Sequence, residues 1–134
     1  MLPASGITIY HNPQCSKSRS SAKLLEENQE VGNYTLETVK YKATPPPVEV
    51  LNALVDYLGI RDQEPSQRPW DYLLRPEAQG KAASFEEAFD LISKDPALLE
   101  RPFVIDWDRK VAALGRPDIS KIQSIVDDRK AGKL

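Results

Sequence analysis

One cysteine in 134 residues rules out an internal disulfide, and a reducing, cytoplasmic setting is the natural home of such a chain. No apolar run approaches the ~20 residues a helix needs to cross a bilayer. The opening segment Met1-Leu2-Pro3-Ala4-Ser5-Gly6 has neither the basic start nor the apolar stretch of a secretory signal. Internal repeats and low-complexity tracts are missing as well. So is a large excess of one charge: the formal net charge is −2, which argues against a nucleic-acid partner held by bulk electrostatics. Any anion site must therefore be local, made by a few arginines and backbone amides. What is present, 40% hydrophobic and 28% charged residues, suits a soluble folded chain rather than a disordered one. The length suits a single domain.

Ile7-Thr8-Ile9-Tyr10 is β-branched and aromatic and reads as a strand. A polar, proline-containing loop follows, then a helix from Ser18 to about Asn28 with Ala22 and Leu25 on one face. The alternation around Tyr34, Leu36 and Thr38 suggests a second strand, parallel to the first. Thr44-Pro45-Pro46-Pro47 starts another helix, in which Val48, Leu51, Leu54, Val55 and Leu58 recur at helical spacing before Gly59. A short helical piece is expected at Asp71–Arg75. Ser84-Phe85-Glu86-Glu87 reads as a capping box, with Phe85, Ala88, Phe89 and Ile92 behind it. Phe103-Val104-Ile105 reads as a strand, Asp106–Arg109 as a turn and Lys110–Leu114 as the hairpin partner. Gly115-Arg116-Pro117 breaks the chain, and Asp118 caps a last helix carrying Ile119, Ile122 and Val126. The polar tail from Asp127 is expected to fray. The order βαβ, helices, then ββα is α/β and matches a thioredoxin-like fold: one domain over residues 1–134, with a helical insertion over about 45–98.

The loop His11-Asn12-Pro13-Gln14-Cys15-Ser16-Lys17-Ser18-Arg19 carries the chemistry. A thiol is a good nucleophile only as thiolate. Cys15 stands between a strand and a helix start, where unpaired N–H groups and the helix dipole favour negative charge. Lys17 and Arg19 add positive charge, and His11 adds more when protonated. The same donors suit an incoming oxyanion. Most lone cysteines are buried packing residues, but Asn12, Gln14, Ser16, Lys17 and Ser18 make a poor apolar pocket. His11 serves equally well as a structural hydrogen-bonding group or as a thiol activator. Small tyrosine phosphatases place five residues between cysteine and arginine, and only three separate Cys15 from Arg19. A dithiol site needs Cys-x-x-Cys, and Ser18 occupies the second position. An external thiol must therefore complete any redox cycle.

Tyr10-His11-Asn12-Pro13-Gln14-Cys15-Ser16-Lys17-Ser18-Arg19 resembles the active-site signature of the glutaredoxin-coupled arsenate reductases, the ArsC family. Thr44-Pro45-Pro46, Leu73-Leu74-Arg75, Glu100-Arg101-Pro102 and Gly115-Arg116-Pro117 recur in the family's order, so the resemblance spans roughly Ile7 to Ile125. It implies that Cys15 attacks arsenate to form a thiol–arsenic adduct. Glutathione then displaces the adduct, arsenite leaves, and glutaredoxin reduces the mixed disulfide. It further implies that Arg75, Arg101 and Arg116 bind the oxyanion, for which the planar guanidinium fork is suited. His11, Asn12, Ser18, Arg19 and Pro102 would support the site, with Pro102 following a cis bond. Pro76 directly after Arg75 departs from the family pattern, and Arg68-Pro69 is a nearby competitor. The resemblance implies no bound cofactor and no metal, only glutathione as co-substrate, and a monomer acting in the cytoplasm away from membranes and nucleic acid. Two rival functions remain open at this point: a monothiol thiol-transferase that deglutathionylates proteins, and a non-enzymatic regulator of the same fold. The regulators, however, carry Cys-x-x-Cys.

Overall fold

The computed structural model describes residues 2–133. Its elements are β1 (Ile7–His11), α1 (Ser16–Glu27), α2 (Gln29–Gly32), β2 (Leu36–Lys40), α3 (Val48–Leu58), α4 (Phe85–Lys94), β3 (Phe103–Asp106), β4 (Val111–Leu114) and α5 (Ser120–Lys130), with short 3₁₀ turns on either side of α4. Residues up to Lys40 and those from Arg101 onward form one compact unit, and Tyr41–Glu100 form a second. No helix among the described residues is long and apolar enough to cross a membrane.

The first unit is built on a four-stranded sheet in the order β2-β1-β3-β4. β1 and β2 are parallel, with Ile7 opposite Leu36. β3 runs antiparallel to β1, placing Ile7 opposite Asp106 and Tyr10 opposite Phe103, and β4 returns antiparallel to β3. This is the thioredoxin-like arrangement expected from the element order. Ile7, Ile9, Val104 and Ala113 from the strands bury against Ala22 and Leu25 of α1 and Ile122, Ile125 and Val126 of α5. Burial of such side chains, at roughly 1.5–3 kcal/mol each, holds the layers together.

α1 begins at Ser16, two residues before the expected Ser18, because Cys15 in extended backbone takes the N-cap position. Apolar periodicity reports only where a helix starts to touch the core, so a polar first turn escapes it. A short turn, α2, follows, and Asn33 closes it in the left-handed conformation. The last helix differs more. Ile119, not Asp118, is its N-cap, although the Asp118 carboxylate still accepts from the Ser120 N–H at 3.0 Å. The helix runs on to Lys130 instead of fraying from Asp127.

What holds it is an ion network at the sheet end where β1 starts. Asp106 is fully buried, and the Arg129 Nε and Nη2 donate to its two oxygens, both at 2.9 Å. Arg129 also donates to Asp108, whose carboxylate accepts from the Gly6 N–H at 3.0 Å, and its guanidinium lies over the Tyr34 ring. These Arg129 hydrogen bonds and the Gly6 amide hold the Asp108 carboxyl below its usual range. A polar helix end is thus pinned by a charge pair that hydrophobic patterning does not register.

In the second unit Gly59 ends α3 with φ of 74°, the conformation glycine adopts without a Cβ penalty. Prolines open the 3₁₀ turns Pro65–Gln67, Pro69–Leu73 and Pro76–Ala78 before α4, and Pro96–Leu98 after it. The helical piece expected at Asp71–Arg75 is therefore shifted: Leu74 is extended and forms a bridge with Leu99. Ser84 caps α4 by accepting from the Glu87 N–H at 3.1 Å. Glu87 in turn accepts from the Ala83 N–H, one residue before the expected partner. The Trp70 and Phe85 rings pack edge to face, and Phe89 lies tilted against Phe85.

Candidate active site

The other sheet end, where β1 stops and β3 begins, collects the loop around Cys15, the Arg101-Pro102 segment and Gly115-Arg116. The loop is knitted by Asn12. Its carbonyl accepts from the Cys15 N–H at 3.0 Å, its side-chain oxygen accepts from the Gln14 N–H at 3.0 Å, and its own N–H donates to the Ser18 hydroxyl at 3.3 Å. Arg19 adds a brace, its Nη1 donating to the Pro13 carbonyl at 2.9 Å. Arg19 thus supports the loop from outside, consistent with the absence of a phosphatase-type spacing.

Cys15 is 8% exposed and sits as the N-cap of α1. An N-cap side chain normally offers an oxygen to the amides of the second and third helical residues. Cys15 occupies that position, though its side chain makes no capping hydrogen bond. Burial alone would push the thiol up, but the amides of Ser18 and Lys17, the Arg116 charge and the Ser18 hydroxyl outweigh it, so the thiol lies below its ordinary value. Arg116 Nη2 donates to Sγ at 3.3 Å, and its Nε donates to the Arg101 carbonyl at 2.9 Å. One guanidinium therefore ties Cys15 to the Arg101-Pro102 segment.

That segment turns through a cis Arg101–Pro102 bond, and Arg116–Pro117 is cis as well. The first was expected and the second was not. Gly115 lies between them: its N–H donates to the Pro102 carbonyl at 2.8 Å, and a Cβ there would come 2.7 Å from Pro102 Cγ. Only glycine permits this approach. A glycine directly before Arg116 is the sequence signal, and reading it merely as a chain break misses its packing role. The Nε of Arg101 is buried and makes no hydrogen bond among the described residues. A buried guanidinium N–H without an acceptor is costly and suits a place where an anion binds.

Of the two roles open to His11, the surroundings disfavour the charged form. Burial, then Lys40, lower its pKa, with Glu26 and a backbone hydrogen bond to Ser18 opposing and Arg19 adding a little to the lowering. The balance of these effects favours the neutral imidazole. Arg75 belongs to the other unit, where its Nη1 meets Glu100 Oε1 at 2.7 Å and its Nε meets Glu77 at 3.6 Å; its backbone is held by the Leu98 carbonyl. Arg68, the competitor, pairs with Asp71 at 2.9 Å, donates to the Ala82 carbonyl and lies over Trp70. Arg68 is used in holding its own loop.

The model of the ArsC family matches residues 10–122. A protein of Neisseria meningitidis serogroup A named arsenate reductase is 36% identical over 121 residues, covering 90% of this chain and 97% of that one. An arsenate reductase of Haemophilus influenzae is 37% identical, over 83% of this chain and 91% of that one. Among solved structures, an arsenate reductase from Vibrio cholerae superposes with a TM-score of 0.66 at 28% identity, covering 93% and 98% of the two chains.

Proposed function

Since the chain belongs to the ArsC family, we propose that it is an arsenate reductase with Cys15 as nucleophile and glutathione with glutaredoxin as the electron source. The contact of Arg116 with the Cys15 sulfur at a helix N-terminus is the observation that carries this reading. A thiolate held there has donors on hand for the oxygens of a tetrahedral anion, and the unmatched Nε of Arg101 offers one more.

The Cys15 thiolate attacks As(V) and one oxygen leaves as water, giving a sulfur–arsenic bond. A glutathione thiolate then attacks the Cys15 sulfur. The electron pair of the sulfur–arsenic bond passes to arsenic, which departs as arsenite, and Cys15 is left in a mixed disulfide with glutathione. A thiol of glutaredoxin takes the glutathione and returns Cys15 to the thiol. Two thiols are oxidised to one disulfide for each arsenate reduced, so the electrons balance. With Ser18 where a second cysteine would stand, the resolving thiol must come from outside. A reducing cytoplasm suits such a dependence, and a single copy of the chain suffices. Phosphate can occupy the same donors but cannot accept the electron pair, so selectivity comes from the chemistry.

The test is NADPH oxidation in an assay coupled through glutathione reductase, with arsenate, glutathione and glutaredoxin supplied. Turnover by the wild type and none by Cys15→Ser is expected. No wild-type turnover, or full turnover by Cys15→Ser, would overturn the reading.

A further inference from the structure

We propose that Asn12 is a further substrate-binding residue: its side-chain N–H groups donate to an oxygen of the tetrahedral anion that Cys15 attacks. The inference rests on the oxyanion reading of this loop and adds a neutral donor to the arginines.

Asn12 follows β1 directly and is only 4% exposed. Three of its polar groups are spent on the loop. The backbone carbonyl accepts from the Cys15 N–H at 3.0 Å, and the backbone N–H donates to the Ser18 hydroxyl at 3.3 Å. The side-chain oxygen accepts from the Gln14 N–H at 3.0 Å. That last bond fixes which way round the amide lies, because only Oδ1 can accept. Nδ2 is left with two N–H bonds and no acceptor among the described residues. A donor left so in a buried residue is costly and calls for a partner from outside the chain. Unlike the sealed Nδ1 of His11 and Nε of Arg101, Nδ2 keeps some contact with solvent, so a ligand can reach it. The amide belongs to the same tight turn that Cys15 closes.

A purely structural role does not explain the amide. Asparagine and aspartate both bond to the backbone two residues on, as Oδ1 does here with Gln14. Aspartate would also gain from the positive end of a helix, and the first turn of α1 holds no acid. Asparagine keeps the bond to Gln14 and has two donors where aspartate has a negative charge. A carboxylate in this loop would repel an incoming anion and compete with it for Arg116, which reaches the Cys15 sulfur. A neutral amide does neither, and amide side chains are among the donors that stabilise oxyanions in water-poor sites.

The experiment follows iodoacetamide alkylation of Cys15, the chain's one cysteine, at increasing sulfate and no glutathione. Sulfate has the shape and charge of the substrate and undergoes no reduction by the thiol. It should slow alkylation of the wild type as it fills the site. Asn12→Ala removes the donors without adding charge and should need about tenfold more sulfate for the same protection, the loss expected of one hydrogen bond to a charged group. Asn12→Asp keeps the acceptor for the Gln14 N–H, and hence the turn. It should unfold at close to the wild-type temperature and yet lose the protection altogether. Wild-type protection in Asn12→Asp would mean that the side chain serves the turn alone, and would overturn the proposal. Protection of a folded Asn12→Ala at wild-type sulfate would overturn it as well. Should Asn12→Ala lose its fold, Asn12→Asp still exposes the proposal to refutation. A wild type that sulfate does not protect at all would instead sink the oxyanion reading of the loop, which separates the two failures.

Discussion

At one end of the sheet Arg116 donates to a sulfur and to a backbone carbonyl, and Arg101 keeps a buried N–H without an acceptor. At the other end Arg129 is clamped between Asp106 and Asp108 and covers Tyr34. The side chain is the same and the neighbours decide its use. A carboxylate pair locks a guanidinium in place, and once buried neither charge can be removed alone without leaving the other uncompensated. Arg116, by contrast, directs two of its donors at the Cys15 sulfur and the Arg101 carbonyl, which frame the candidate site. The Asp106 end of the sheet is closed by carboxylates around its arginine; the Cys15 end is the open one, where an arginine is aimed at a sulfur.

Breaking the closed end should have the largest effect. Arg129→Met strands the fully buried Asp106 and should cost about 3–5 kcal/mol in urea unfolding, with Cys15 reactivity per folded molecule unchanged. Adding Asp106→Leu should recover most of that loss. A cost near that of an average surface change would mean the network is ornamental. At the open end, Arg116→Ala should invert the pattern. Arsenate kcat/KM in the coupled assay should fall by roughly 10²–10³, as for loss of one preorganised oxyanion donor, while stability changes by no more than about 1 kcal/mol. Equal damage to stability and reactivity would erase the contrast between the two ends.

Gly115→Ala tests whether the open end also depends on packing. Its Cβ would meet Pro102 Cγ at 2.7 Å, so a loss of roughly 1–3 kcal/mol is expected from crowding, accompanied by slower Cys15 alkylation as the Arg101-Pro102 segment shifts. Alkylation at the wild-type rate would show that Pro102 yields without moving the site.

The smallest effect is a pH dependence. His11 is held neutral below its ordinary 6.5, so as pH falls through that value the unfolded chain takes up the proton before the folded one. Its contribution is complete above pH 6.5 and is lost on acidification. Between pH 7.5 and 5.5 the wild type should lose more stability than His11→Asn. The difference should stay under about 1 kcal/mol, because the imidazole is partly solvated. Identical losses would contradict the shift. His11 is the chain's one histidine, which makes the comparison clean.

Much of the fold could be read in advance because its strands and helices are amphipathic at the periods that burial demands. The errors fall where polar groups decide. The first turn of α1 and the last turns of α5 carry few apolar residues, and the end of α5 is held by Asp106, a strand residue distant in sequence that pairs with Arg129. The prolines at 65, 69 and 76 signalled turns, but the Leu74–Leu99 bridge that extends the chain before Arg75 joins residues far apart in sequence.

The sequence by itself determined the thioredoxin-like element order, the lone cysteine at a helix start and the need for an outside thiol, since each follows from local spacing or from a count of residues. Only the tertiary structure decided which arginine touches that cysteine, which one is consumed by carboxylates, which way the His11 pKa is pushed, and that Gly115 makes room for Pro102. These depend on distances between segments as much as a hundred residues apart, and on how much water burial removes. No local pattern encodes either quantity.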